Sequence, residues 1–391
     1  MTRADAFTPA AVPASVAAAV PASVPADGRP RRGGWHPLRV SRTEPVGDQA
    51  TAITLDVPDR LADTFAYRPG QHVLVRSQHT GRELRRSYSV CLPPGERHGL
   101  RLVVKYLGPG GFAEYATTAL AVGDLLELSP PTGHFTLVEE PGAHHVLIGG
   151  GSGVTPLLSI AAAALRADPS CRVSLICANR SARSVLLADE LSDLKDAHVG
   201  RFSVLHVLSQ EARESDLLSG RIDGTRLPAL LALLGVEPGD RAQYYLCGPL
   251  GLVELARVSL ERWGADPTRV RFELFSTSTS TSASAPASAP PATSARRAGA
   301  VTVSARLDGR TTTVELRPED RVLLDALLRA RPETPYSCRD GLCGSCRARV
   351  LLGTVTMDRQ YALDAAELAA GYTLACRAGP ASDRIDLDFD A

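Results

Sequence analysis

Residues 276–300, STSTSTSASAPASAPPATSARRAGA, contain no Val, Ile, Leu, Met or aromatic residue. A stretch of this composition cannot bury enough apolar surface to offset the entropy of ordering it, so it predicts a flexible tether. The tether constrains everything else, because cores must then form separately on its two sides. The 391 residues leave room for two or three domains. We expect a disordered tail over 1–34, an antiparallel β-barrel over 35–138, an α/β domain with a parallel sheet over 139–275, the linker at 276–300, and a small α+β domain over 301–391.

Local patterning sets those boundaries. Between Trp35 and Phe135, short alternating segments at 52–55, 73–76, 101–105 and 125–128 are punctuated by Pro and Gly, which suggests a small barrel. From His144 to Phe275 strand-like and helix-like runs alternate (HHVLIGG, PLLSIAAAALRA, VSLICA, VLLADELSDLK, FSVLHVL, LPALLALL, YYLCG, VELARVSLERW), predicting a mostly parallel sheet covered by helices. Beyond the tether, alternating Val301, Val303 and Ala305, an Asp308-Gly309 turn, and Thr312, Val314 and Leu316 read as a hairpin. A helix follows on Val322, Leu323, Ala326, Leu327 and Ala330, with Asp320 as its cap. Strands at 348–355 and 385–389 complete the unit.

Lys plus Arg and Asp plus Glu are each 43, so no global field favours nucleic acid or an anionic membrane. The Ala-, Val- and Pro-rich start has no basic region ahead of a clean apolar core, and after it no run of 18 uncharged apolar residues occurs. We expect a cytoplasmic protein. In that reducing compartment eight cysteines point to a metal or redox site, not disulfides.

Three cysteines crowd into CRDGLCGSC: Cys338, Cys343 and Cys346, with Cys376 far downstream in TLACRAG. Spacings of four and two residues plus a distant fourth ligand are those of a plant-type 2Fe-2S cluster. A four-cysteine zinc site takes its ligands as two short-spaced pairs instead. Gly341 and Gly344 let backbone amides approach the cluster sulfurs, with Ser345 and Arg347 as further donors. Cys91, Cys171 and Cys177 are expected in the core.

In VLIGGGSGVTPLLSI, Gly149, Gly150, Gly151 and Gly153 make a turn between strand and helix, and a helix entering at Thr155-Pro156 presents free amides to a phosphate. The spacing is not GxGxxG, and such a turn also serves a tight strand-to-helix loop. After the next strand comes NRSARS, with Arg180 and Arg183 but no carboxylate at the strand end. Arg suits the 2'-phosphate of NADPH, whereas the bare ribose of NADH wants Asp or Glu; a helix start capped by Ser181 is the plainer reading. In the barrel, RPGQHVLV and RSYSV offer an Arg for phosphate, a ring to lie on a flat heterocycle and a hydroxyl, with Arg86 and Tyr88 on one face of a strand. An exposed edge strand has the same pattern.

On these motifs the chain resembles the ferredoxin-NADP reductase superfamily from about Trp35 to Phe275 and plant-type ferredoxins over its last 90 or so residues, in the order found in oxygenase reductases. The resemblance implies an FAD-binding barrel, an NADP-binding domain and a β-grasp ferredoxin domain. It implies that Arg86, Ser87, Tyr88 and Ser89 hold FAD, with Ser89 near the hydride-accepting atom, and that Val103, Val104 and Lys105 line the flavin. Gly110, Gly111 and Phe112 correspond to a phosphate-binding turn, although Ala113 replaces the family's Ser there. Gly150, Gly151, Ser152, Gly153, Thr155 and Pro156 would take the NADPH pyrophosphate. Asn179, Arg180 and Ser181 would meet the adenosine end, and Cys247, Gly248 and Pro249 the nicotinamide. Ser89, Cys247 and Glu273 would be the catalytic groups, with Phe275 near the flavin.

The implied chemistry is transfer of electrons from NADPH through FAD and the cluster to the subunits of a diiron oxygenase that epoxidises phenylacetyl-CoA. Reductases of other ring-hydroxylating or steroid oxygenases share these parts. A redox-sensing iron-sulfur protein is the reading of a different class.

Overall fold

The computed structural model describes residues 34–78, 83–91, 99–275 and 301–391. The expected linker and, but for Gly34, the expected tail lie outside them. In the first unit, β1 (His36–Pro45), β2 (Ala50–Asp56), β3 (His72–Ser77), β4 (Leu84–Ser89), β5 (Leu100–Lys105) and β6 (Leu125–Leu128) accompany helix α1 (Phe112–Thr118). The strands pair antiparallel in the order β4-β3-β6-β1-β2-β5. Val90 bridges Leu102, and the Cys91 N–H donates to the Arg101 carbonyl at 2.9 Å, so the two sheet edges meet and the sheet rolls into the expected barrel. Alternate residues point inward: Leu38, Val40, Ile53, Leu55, Val73, Val75, Leu102 and Val104 form the core, and Phe112 and Ala116 of α1 close it.

In the second unit β7 (His144–Gly150), α2 (Val154–Ala167), β8 (Arg172–Asn179), α3 (Ala188–Ala197), β9 (Phe202–Leu208), α4 (Arg226–Leu233), β10 (Gln243–Gly248), α5 (Leu250–Trp263) and β11 (Val270–Leu274) alternate along the chain. All five strands are parallel, in the order β11-β10-β7-β8-β9. Helices α2 and α3 bury one face of the sheet, and α4 and α5 the other. The chain starts at β7, winds outward through β8 and β9, then crosses back to β10. That reversal opens a crevice beyond the carboxyl ends of β7 and β10, where open α/β sheets bind ligands.

In the third unit β12 (Thr302–Leu307), β13 (Arg310–Glu315), α6 (Leu323–Ala330), β14 (Arg347–Leu352), β15 (Val355–Met357), α7 (Ala365–Ala369), β16 (Tyr372–Leu374), β17 (Ala378–Pro380) and β18 (Arg384–Asp388) build a mixed sheet, β13-β12-β18-β14-β16, with β15 and β17 paired apart. Leu323, Leu324 and Leu327 of α6 pack across it. The hairpin turns on Asp308 and Gly309, both left-handed at φ 53° and 72°, as a two-residue turn needs. Two local expectations change. Asp320 does not cap α6: it accepts from the Arg317 N–H and pairs with Arg329 in the helix's last turn, while Asp325 receives the Arg321 N–H at 3.1 Å. The strand expected at 348–355 breaks at Gly353, whose φ of 82° turns the chain from β14 into β15.

Candidate functional site

The glycine turn after β7 sits at the crevice, and most of its glycines answer to packing. A Cβ on Gly149 would lie 2.5 Å from Leu157, and one on Gly153 would run into the Cys247 carbonyl, so these two let α2 and β10 close on β7. Gly151 differs, for it has φ 54° and only the Lys105 Nζ, 4.0 Å away, near its missing side chain. Lys105 comes from the barrel; burial and then the charge of Arg180 lower its pKa, and the Asp48 carboxylate opposes that shift. Neither cation has an ion-pair partner among the described residues. A lysine over an open glycine turn, with a second cation close enough for its charge to be felt, fits a bound phosphate-bearing nucleotide.

The residues expected around that nucleotide divide. Thr155 and Pro156 are buried in the base of α2, with the Thr155 hydroxyl donating to the Ser152 carbonyl at 2.9 Å. Asn179, expected at the adenosine, is buried and spends its amide on Cys177 Sγ at 3.1 Å. Ser181 opens a short helical turn in which its N–H donates to Ser184 Oγ at 3.0 Å. Arg180 alone of the three presents an exposed side chain. Gly248, at φ 143°, lies so close to β7 that a Cβ on it would stand 2.9 Å from the Gly150 carbonyl oxygen, and Pro249 starts α5 beside it.

On the barrel, the pleat of β4 splits its residues between two tasks. Arg86 and Tyr88 share one side. Arg86 is exposed, and its Nη1 donates to the Arg85 carbonyl (2.9 Å), which leaves the rest of its guanidinium for a phosphate. Burial pushes the Tyr88 phenol well up, and its ring tilts against Phe112 at 5.7 Å. The structure places other residues expected around the flavin as follows. The Val104 and Phe112 side chains belong to the barrel core, because the strand pleat and the helix face turn them inward, so only their backbones can touch a cofactor. Val103 turns the other way, into the core shared with the α/β unit. The Gly110 amide, expected at a phosphate, instead donates to the Glu114 carboxylate at 2.7 Å, while nothing lies near the missing side chain of Gly111.

The other side of β4 carries Ser87 and Ser89. Ser89 Oγ donates to Glu273 Oε2 at 3.4 Å, and His72 Nδ1 lies 3.1 Å from Glu273 Oε1. Glu273 stands opposite Cys247 in the register of β11 and β10. Burial, and then the Glu273 charge, raise the Cys247 thiol well above its ordinary value, so it stays neutral. The structure thus brings the three expected catalytic residues together and adds His72. That histidine was visible in RPGQHVLV but has no spacing signal, because its partner is 201 positions away.

The third unit brings its cysteines together in two pairs. The Cys343 thiol beside Cys338 holds the latter down at about 6, and Cys346 and Cys376 are mutual neighbours, with Cys346 pushed well up by Cys376 and by burial. The Asp340 and Leu342 amides donate to Cys338 Sγ at 3.3 and 3.4 Å, and the Cys376 amide to Cys346 Sγ at 3.5 Å. Left-handed residues at Arg339, Gly341 and Gly344 (φ 59°, 75° and 67°) wind the loop around the sulfurs. Among the described residues no three His, Cys, Asp or Glu converge as a single-ion site. Two thiol pairs with amides aimed at sulfur fit a two-iron cluster, each iron taking one pair.

These centres adjoin. A small pocket is lined by His72, Ser87, Ser89, Glu273, Phe275 and Cys343, so the cysteine loop of the third unit meets the Ser87–Ser89 side of β4. It opens into a cleft of about 510 Å³ between the three units, bordered by Arg68, Phe272, Leu342 and Arg347.

Family models match in the same order as the units: an oxidoreductase FAD-binding domain over 37–137, an oxidoreductase NAD-binding domain over 147–258 and a 2Fe-2S iron-sulfur cluster binding domain over 305–381. The chain is 36% identical over 367 residues to one of the subunits of 1,2-phenylacetyl-CoA epoxidase from Escherichia coli K12, covering 91% of this chain and 98% of that one. It is 33% identical over 355 residues to the ferredoxin reductase component of 3-ketosteroid-9-alpha-monooxygenase from Rhodococcus rhodochrous, covering 90% and 96%. The solved structure of phthalate dioxygenase reductase, described as modular for electron transfer from pyridine nucleotides to 2Fe-2S, shares the fold with a TM-score of 0.54 at 23% identity, covering 91% and 98%. With one domain for FAD, one for NAD and a C-terminal plant-type 2Fe-2S domain, the chain belongs to the ferredoxin-NADP reductase superfamily, as an oxidoreductase of the oxygenase-reductase type.

Proposed function

We propose that this chain takes electrons from NADPH and passes them singly to a diiron oxygenase acting on phenylacetyl-CoA. The observation that supports the electron path is the meeting of Ser89, Glu273 and Cys343 around one pocket, where the proposed hydride site and a proposed cluster ligand would be neighbours. Bound FAD supplies the step from a two-electron donor to a one-electron carrier. The protein's own part is placement. Arg86 and Tyr88 would orient the flavin, Gly151, Lys105 and Arg180 would hold the nucleotide phosphates, and Gly248 would let the nicotinamide approach over β10. Ser89, hydrogen-bonded to Glu273, would sit at the atom that receives hydride, with neutral Cys247 packing beneath it. Cys338 with Cys343, and Cys346 with Cys376, would each hold one iron.

NADPH over NADH rests on Arg180 at the end of β8, in a segment, NRSARS, that itself carries no carboxylate. The epoxidase as client rests on the relative at 36% identity, and the steroid monooxygenase reductase at 33% makes a steroid hydroxylase the competing client. A cytoplasmic site of action rests on the eight free cysteines, which a reducing compartment preserves. No helix among the described residues is long and apolar enough to cross a membrane. The test is NADPH-dependent consumption of phenylacetyl-CoA by the oxygenase subunits of the epoxidase with and without this chain. Turnover that requires it supports the whole reading. Brisk NADPH:cytochrome c reduction without phenylacetyl-CoA turnover removes the client and keeps the reductase.

A further inference from the structure

Arg85 stands next to Arg86 in the flavin-binding motif, yet the pleat of β4 sends it the opposite way, into the third unit. It is 3% exposed. Its Nη1 donates to the Thr334 carbonyl at 3.0 Å and its Nη2 to the Pro332 carbonyl at 2.6 Å. The Ser337 hydroxyl returns a bond to the Arg85 carbonyl at 3.4 Å. The guanidinium lies 4.4 Å from the centre of the Tyr336 ring and 5.1 Å from that of Trp35. Its carboxylate partner is Glu83, at 2.8 Å, from its own domain.

Every group gripped from the third unit lies in Pro332–Ser337, the stem that runs directly into Cys338. On the same side of β4, two and four residues on, Ser87 and Ser89 border the pocket that contains Cys343. One rigid strand therefore carries both the grip on the cluster loop and the hydroxyl beside the hydride site. We infer that Arg85 is a positioning residue for electron transfer: it fixes the cluster loop against the barrel and so sets the distance over which electrons enter the cluster.

The grip is made of hydrogen bonds to neutral carbonyls and a ring face, and the carboxylate that balances the charge, Glu83, belongs to the barrel. Each NADPH delivers two electrons with its hydride. They leave one at a time through the cluster, and the hydride's proton is released to water, so the loop would be loaded twice per NADPH.

This rests on the electron path proposed above, and its test separates the two. In the full-length protein with FAD and cluster bound, Arg85→Ala and the milder Arg85→Lys are compared with the parent by hydrogen exchange and by stopped flow with NADPH. The expected result for Arg85→Ala is faster amide exchange at residues 333–337, flavin bleaching at the parent's rate, and cluster reduction slowed tenfold or more. Lys, which keeps the charge but loses the two-carbonyl fork, should fall between. Unchanged exchange and unchanged cluster reduction would overturn the inference. If the Ala variant loses its flavin, the Lys variant and Tyr336→Leu, which removes the facing ring, carry the same readings. Failure of NADPH to bleach the flavin in the parent would overturn the electron path instead, with the exchange result still deciding whether Arg85 holds the loop.

Discussion

Ser89 of the barrel donates its hydroxyl to Glu273 of the parallel sheet at 3.4 Å, across the boundary between two domains. The bond ties the strand that would hold the flavin to the strand that flanks the nicotinamide crevice. His72 fixes the other oxygen of the same carboxylate. The arrangement orients the Ser89 hydroxyl, and under the proposed function that hydroxyl would act on the transfer more than on binding.

Glu273→Gln keeps the size but reduces what the side chain can accept, and should lower the rate of hydride transfer by about 10²-fold while leaving the KM for NADPH within a few-fold. Single-turnover bleaching of the flavin measures it. A rise in KM with an unchanged rate would place Glu273 in binding instead.

Cys346→Ser should leave ferricyanide reduction intact and abolish cytochrome c reduction, since ferricyanide can draw electrons before the cluster does. Equal retention of both activities would break the proposed path. The loss should coincide with loss of the iron-sulfur absorbance, because the alcohol is a far poorer ligand than thiolate.

Much of this was legible in the sequence because the signals are local. The cysteine spacing, the glycine turn and the RSYS pattern each lie within one loop or strand, where period and spacing decide geometry. What escaped depends on contacts between distant segments. Asn179 is a ligand by resemblance, and in the structure its buried amide is turned toward Cys177, since the last residue of a buried strand must satisfy its own polar groups. Phe112 and Val104 lie at ligand positions by resemblance, and their side chains fill the barrel. His72 and Arg85 gave no signal because their partners are 201 and about 250 residues away.

His144 and His145 are buried side by side, and desolvation lowers both to about 4 from 6.5. Between those values the unfolded chain binds protons that the folded one refuses. Stability should therefore fall as pH drops from 6.5 toward 4, by about 1.4 kcal/mol per unit for each histidine, and level off below 4 with respect to these two. Urea midpoints of the parent and of His144→Gln/His145→Gln across pH 7 to 4 measure this. A parent curve as flat as the variant's would mean that the rings are hydrated.

Lys105 stands over Gly151 and feels the charge of Arg180, and neither has an ion-pair partner among the described residues. Their mutual repulsion is a standing cost that a phosphate would relieve, so both should bind nucleotide more through charge than through shape. They ought not to be equivalent, however. Lys105 lies within reach of the glycine turn, where the pyrophosphate common to both nucleotides would sit, whereas Arg180 ends β8, where NADPH and NADH differ. Arg180→Ala should then cost NADPH about 1.5 to 3 kcal/mol, roughly ten- to hundredfold in KM, and leave NADH nearly unchanged. Lys105→Ala should weaken both by similar factors. Measuring KM for each nucleotide at low and at high salt completes the test, because a charge-based preference must shrink as ionic strength rises. A nucleotide ratio that survives Arg180→Ala would pass the reading of the 2'-phosphate to another residue, of which Arg183, exposed and 3.9 Å from Asp48, is the nearest in sequence.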